Sequence, residues 1–384
     1  LVSRSVALAA LLLLLAWLVG RLLTDRYLIT QFIFWAPAFL LLPAAVVLAL
    51  LARWPRLRRH RLDPPERYRR SRLAAFALLF GLAACLFTVL VDWRVPWGRL
   101  AAGPNEPTET RLTLAHWNAT TPDIDAWTGS LLSAAGPRPP DIFLISSFAG
   151  PARLAELAAP LRARFAPGHV ERHGQLAVVS RYPVLRSGLV SLGLPTVEAG
   201  PAPTWYARVY NRLGRVLGLP HRQFDLADTG SLLFAELETT TLLGRPLVVW
   251  FIDLPSSPTL HRRAIAAQAR GRLDELWQSG WLPGSRAPGV FGPDVLAGDF
   301  NIPRSSGSLG VLAPGMESAF GQSGVGRQAT WPRTLPVLAI DHVFLAPPLR
   351  AVSYETFDPG VADHRVQVVV VAAPRPAAPQ GESR

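Results

Sequence analysis

Three long apolar runs near the start of this 384-residue chain limit what it can fold into more than any other feature. Val6 to Leu23, Leu28 to Ala52 and Leu73 to Val91 hold no acidic residue. Each is close to the roughly 20 residues a helix needs to cross the hydrocarbon core of a bilayer. Only Arg21, near the end of the first, interrupts them with charge. A cleaved signal peptide is the alternative for the first run, but two longer spans follow it, which favours retention. The sequence therefore predicts three transmembrane helices, at about residues 6–23, 28–52 and 73–91, with the lipid bilayer as a partner.

The net charge of +12 would suggest nucleic-acid binding if it were spread over the chain. Residues 53–72 alone hold nine Arg against Asp63 and Glu66 and carry +7, while residues 1–52 add +2. Everything from residue 92 onward carries only +3. A short Arg-rich loop between spans resists translocation and stays in the cytoplasm. The N-terminus is then inside as well, and the third span delivers the chain after Asp92 to the far side. This arrangement suits a multi-pass protein of a bacterial-type inner (cytoplasmic) membrane with an extracytoplasmic C-terminal domain. Without clustered cations in that domain, nucleic acid is not a favoured partner. The single cysteine, Cys85, falls inside the third run, so no intrachain disulfide can form.

Residues 92–110 carry Pro and Gly without periodicity and read as a linker. Trp93 and Trp97 fall where an interfacial aromatic belt would lie. Beyond them, apolar runs of strand length recur at Leu112–Trp117, Ile142–Ile145, Leu176–Val179, Leu232–Leu237, Leu247–Ile252, Val295–Ala297, Ile340–Leu345 and Val366–Val371. Helical stretches lie among them. The clearest follows Ser257-Pro258, read as a cap with Pro at the first helical position, and sets Ile265, Ala269, Leu273, Leu276 and Trp277 along one face. Strands mixed with helices predict an α/β or α+β domain. The Pro-rich tail, residues 373–384, is predicted to be disordered.

Polar residues end these strands in a definite order: His116-Trp117-Asn118, then Asp141 to Ser147 as DIFLISS, then Ser180-Arg181-Tyr182-Pro183. Ile252-Asp253, Gly298-Asp299-Phe300-Asn301, Ile340-Asp341-His342-Val343-Phe344 and Asp363-His364-Arg365 follow. Each alone is a weak signal. In this order, over roughly residues 111–372, they resemble the endonuclease/exonuclease/phosphatase superfamily. The resemblance implies a four-layer, two-sheet β-sandwich flanked by helices. It also implies a cleft holding Mg²⁺ (or Mn²⁺) and hydrolysis of a phosphoester. By the same resemblance His364 is the general base and Asp341 its orienting carboxylate. Asp299 holds the attacking water, Asn301 donates to a phosphoryl oxygen, and Asn118 and Asp363 belong to the metal site. The chemistry of these residues agrees with the roles. A His titrates near neutrality, a carboxylate fixes its tautomer, and hard oxygen donors suit Mg²⁺. His116, His173 and His342 read as structural.

Two positions depart from the family's pattern. Where relatives end the second strand in Gln-Glu, with the Glu as principal metal ligand, this chain has Ser146-Ser147. Where relatives carry a His or Tyr that contacts phosphate, it has Asp253. A hydroxyl cannot replace a carboxylate's charge, and an anion beside phosphate repels it unless a metal lies between. Two explanations stand side by side. Either the site has lost its chemistry and the domain binds a ligand or partner as a scaffold, or Asp253 supplies to the metal the carboxylate that Ser147 lacks. An insertion at 187–230 also contains TWYARVYNRLGRVLGL, whose spacing suits an amphipathic helix that lies on an anionic bilayer or packs on its own domain.

Overall fold

The computed structural model describes residues 2–54, 64–94, 109–119, 139–146, 168–195 and 228–374, with two isolated positions between the last two segments. Ser147, the proposed insertion helix and the tail from residue 375 lie outside the described residues.

The first apolar run forms α1 (Val2–Leu23). The second, expected as one span, is broken into α2 (Leu28–Trp35) and α3 (Ala38–Arg53), bent by 75°. Pro37 is the cause: it has no N–H to continue the helical ladder, and its ring drives Ala36 to an extended ψ of 125°. The third run lies in α4 (Pro64–Phe87), which ends in a π-helical turn, Thr88–Asp92. Two helical stretches, Arg4–Leu23 and Arg72–Asp92, are thus long and apolar enough to cross a membrane, and a third is counted only if the bent pair is one span. Ala10, Ala49 and Ala77 are fully buried where α1, α3 and α4 meet, since small side chains let helices approach closely. The outward faces expose Leu8, Leu12, Phe76 and Leu79.

The rest of the chain folds as β1 (Glu109–Asn118), β2 (Ile142–Ser146), β3 (His169–His173), β4 (Leu176–Ser180), β5 (Val184–Ser191) and β6 (Ser231–Leu237). These precede a short α5 (Thr240–Leu243), β7 (Leu247–Asp253), α6 (Arg262–Gln278), β8 (Val295–Asp299), α7 (Gly307–Leu312) and β9 (Glu317–Ser318). The last elements are α8 (Ala319–Ser323), β10 (Asp341–Leu345), β11 (Arg350–Phe357) and β12 (Val366–Pro374). Two mixed six-stranded sheets result, in the orders β11-β12-β1-β2-β4-β3 and β5-β6-β7-β8-β10-β9. Their inner faces meet through Leu114, Leu144, Val178, Val249, Phe251 and Val369. The outer face of the second sheet is covered by Ile265, Ala269 and Leu273 of α6, each contributing by removing apolar area from water. The helix itself starts at Arg262 behind the cap position His261, four residues later than Pro258 suggested. Each sheet holds one parallel pair, β1 with β2 and β7 with β8, so four strand C-termini face the same rim.

The turn between α1 and α2 is tied to this domain. Asp25, fully buried, accepts hydrogen bonds from the Ser308 backbone N–H and hydroxyl at the start of α7, and Thr24 Oγ1 accepts from Gly307 N–H at 3.2 Å. Gln31 Oε1 accepts from Arg262 N–H at 2.8 Å, while its Nε2 donates to Pro258 O and Leu260 O. A carboxylate and an amide oxygen therefore cap two helices whose first N–H groups have no partner of their own.

Candidate active site

Asp299 closes β8 and Asp341 opens its antiparallel neighbour β10, so strand pairing alone sets them opposite each other. His364 sits in the turn that enters β12, and its Nδ1 lies 2.9 Å from Asp341 Oδ2. A carboxylate accepts, so Nδ1 carries the proton and Nε2 is the basic nitrogen, 3.7 Å from Asp299 Oδ2. From the other sheet, Asn118 at the end of β1 donates through Nδ2 to Asp299 Oδ2 at 2.8 Å. All four side chains are buried. The Trp117 indole N–H reaches His364 O at 3.2 Å and fixes the turn that carries the imidazole.

Asn301 adopts a left-handed φ of 49°, which Asn tolerates better than most residues. Its backbone N–H donates to Asp299 Oδ1 at 2.9 Å, and its side-chain Nδ2 donates to Leu254 O at 2.7 Å. An amide nitrogen has two hydrogens, so one remains for a further acceptor. Asp299, Asp341 and His364 offer ligand atoms that all lie within 4.8 Å of one another. Asp253, paired in register with Asp299 on the adjacent strand, stays outside that group, and its Oδ2 accepts from Gln175 Nε2 at 3.2 Å. Asp363 also stands outside it, and its carbonyl accepts from Arg333 N–H. Ser146, at the register position of Asn118, is buried at the end of β2.

Burial, and then the neighbouring Asp341 charge, push the Asp299 carboxyl up to about 6. Burial raises Asp341 too, but the His364 and His116 charges and hydrogen bonds pull it below the usual carboxylate range. Two buried carboxylates so close favour a cation beside them, and hard carboxylate oxygens fit a divalent ion in donor chemistry.

His116 belongs nearer the site than its strand position suggested. Its Nδ1 lies 3.2 Å from Gln367 Oε1 and 3.8 Å from Asp341 Oδ1, and Gln367 Nε2 donates to Asp341 O at 2.7 Å. Nothing in a strand motif marks a Gln on β12 as a support for a carboxylate on β10, because the pairing is between sheets. His342 has the structural role expected of it, donating from Nε2 to Ile302 O at 2.7 Å. Burial lowers its pKa from 6.5 to about 4. A folded pKa below the unfolded one gives stability that is present above pH 6.5 and lost as pH falls toward 4, by roughly 3 kcal/mol. Asp299, shifted upward, works the other way between pH 4 and 6. His342→Gln, which keeps a donor for Ile302 O, is expected to flatten the acid side of a melting-temperature profile. An unchanged profile would remove His342 as its source.

Two sheets packed face to face, with a carboxylate-held imidazole at the rim where their parallel strands end, place the chain in the deoxyribonuclease I-like class of α/β sandwiches. The chain belongs to the endonuclease/exonuclease/phosphatase family, which it matches over residues 45–364. Among solved structures it is similar to an endonuclease/exonuclease/phosphatase family protein from Bacteroides thetaiotaomicron, at 14% identity and TM-score 0.45, over 69% of this chain and 98% of that one. It is also similar to the mannosyl-6-phosphatase Bt3783 of the same organism, at 13% identity and TM-score 0.46, over 68% and 99%. Humanized TDP2 of D. rerio is a further likeness, at 18% identity and TM-score 0.46, over 68% and 98%. No curated protein matches the chain.

Proposed function

We propose that this protein is a membrane-tethered phosphoester hydrolase that works with Mg²⁺ or Mn²⁺ outside the cytoplasm. The observation that carries the reading is His364, protonated on Nδ1 toward Asp341 and turned with Nε2 toward Asp299. An imidazole so held takes a proton from water and returns it to a leaving oxygen, while the carboxylate keeps its tautomer and stabilises the imidazolium. Asn118 steadies Asp299, and the second Asn301 amide hydrogen is available to a phosphoryl oxygen as charge builds there. Asp299, with Asp341 and His364 nearby, would hold the ion, and Asp253 stands in the next strand as a further carboxylate. Such an ion supplies charge stabilisation to the transferring phosphoryl group.

The tether is supported by the apolar outward faces of α1 and α4, which nothing in the chain covers among the described residues. The orientation is supported by the α1–α2 turn, which meets the domain as it must if both lie on the same side. Substrate is proposed only as a phosphoester, with nucleic acid disfavoured by the low charge of the domain.

The full chain in lipid nanodiscs is expected to hydrolyse bis-p-nitrophenyl phosphate with Mn²⁺ and to stop when chelator is added. A rate that chelator leaves untouched would reject the metal-dependent reading. Ser146-Ser147 favours the second reading, a silent binding or scaffold domain. Restoring the missing carboxylate separates the two. Ser147→Glu should tighten Mg²⁺ binding about tenfold or more by calorimetry if the pocket still accepts metal, and an unchanged affinity would favour the scaffold.

A further inference from the structure

We propose that the cavity between the membrane helices and the catalytic-type domain binds the phosphate-bearing headgroup of a membrane phospholipid. The inference rests on the membrane-tethered reading above but not on hydrolysis.

The cavity measures about 140 Å³, many times what one water needs. One wall is Trp17 and Arg21 of α1, the break from Trp35 to Pro37, and Asp92; the other includes Arg304 and Arg327. A broken helix at membrane depth is tolerated only where its backbone is buried in protein or lines a cavity, and such breaks mark ligand sites in membrane proteins. Here the break at Ala36–Pro37 lines the cavity. Arg21 pairs with Asp92 across α1 and the end of the third span. Arg21 near the end of its helix needs little to keep its charge at the interface, and the pair places polar groups beside the apolar wall.

The charge of the lining points to an anion. With Arg21 and Asp92 paired, and Arg304 held by the Arg327 and Gln328 carbonyls over the Phe320 ring, Arg327 is the cation left to the lining among the described residues. Arg327 lies 4.1 Å over the Phe39 ring of α3, so a membrane-helix side chain backs its guanidinium. Burial, and after it the like charge of Arg365, lower its pKa, and an anion beside the guanidinium would offset both. One donor on a lining residue, Trp35 Nε1–H, is buried without a hydrogen-bond partner among the described residues. A buried donor left unpaired is costly, and a phosphate oxygen held by Arg327 is an acceptor that would satisfy it. Trp17, Trp35 and Trp93 add the amphipathic rings that settle at headgroup level. A soluble phosphate would need none of the apolar wall. A lipid uses both halves.

The test is native mass spectrometry of the full chain in detergent, titrated with phosphatidylglycerol, diacylglycerol or glycerol 3-phosphate. One phosphatidylglycerol is expected to stay bound, and the other two probes are not. Arg327→Gln should weaken retention about tenfold or more, and Trp35→Phe, which keeps the bulk but removes the donor, several-fold. Arg272→Gln, an exposed position on α6, should leave retention unchanged. Equal retention of diacylglycerol, equally tight glycerol 3-phosphate, or full retention by both cavity variants would overturn the proposal. Alkaline carbonate extraction reads the tether separately. A chain that leaves the membrane refutes the membrane reading and the headgroup site with it. A chain that stays but does not prefer phosphatidylglycerol refutes the headgroup site alone.

Discussion

Asp341→Asn is expected to lower hydrolysis by roughly 10³- to 10⁴-fold while leaving the fold in place. The side chain keeps its shape, so packing around β10 changes little. Its amide hydrogens, however, would donate to His364 Nδ1, where the carboxylate now accepts at 2.9 Å. The imidazole proton would then sit on Nε2, the nitrogen that must be basic, and the catalyst would hold the wrong tautomer. Gln367 Nε2 binds the Asp341 backbone carbonyl rather than its side chain, so that support survives the substitution. Rates of variant and wild type at equal metal, with matching circular dichroism, make the check. A loss under tenfold would mean that Asp341 does not orient the base.

Gly298→Ala is expected to cost at least about 4 kcal/mol and to abolish any activity. Gly298 precedes Asp299 in β8 with a φ of 140°, a region closed to most side chains. A Cβ built there would lie 1.8 Å from Ile252 O of the parallel strand β7. Backbone cannot yield that far without parting the strands that end in Asp253 and Asp299. Gly271→Ala, on the exposed face of α6 with nothing within 4 Å, is the contrast and should gain up to about 1 kcal/mol. Thermal unfolding of both variants reads the difference. Similar stability for the two would show that β7 and β8 do not approach as closely as drawn.

What could be read from the sequence followed burial. All eight strands expected from apolar runs are present, because strands packed on both faces must be apolar throughout. The four that were missed, β3, β5, β9 and β11, are the four edges of the two sheets. Edge strands carry polar residues, as Glu171 and Arg172 in β3 and Arg186 and Ser187 in β5 do, so no apolar run announces them. The break in the second membrane run was written in Pro37, yet composition outweighed it. Helix α6 begins late, where the Arg262 N–H is satisfied by Gln31, a residue 231 positions away.

The site divides along the same line. Asp299, Asp341 and His364 ended motifs that lie on paired or adjoining strands, and the structure brings them together. Asn118 joins them from the other sheet. Asp253, read as a departure that could substitute for the carboxylate Ser147 lacks, and Asp363, read as part of the metal site, both stand outside the closest group, although Asp253 pairs in register with Asp299. Gln367 lay in no motif, and His116, inside the first one, read as structural. They support Asp341 only because β1 and β12 are neighbours, which is a fact of topology rather than of local sequence.

His364 as the base of a metal-dependent phosphoester hydrolysis is open to a direct test. The most direct measurement compares bis-p-nitrophenyl phosphate hydrolysis by wild type and His364→Ala, both as full chains in nanodiscs, with Mn²⁺ and with chelator. A chelator-sensitive wild-type rate that falls at least about 10²-fold in the variant is the expected result. A variant as active as wild type, or no metal-dependent rate in either, would contradict it.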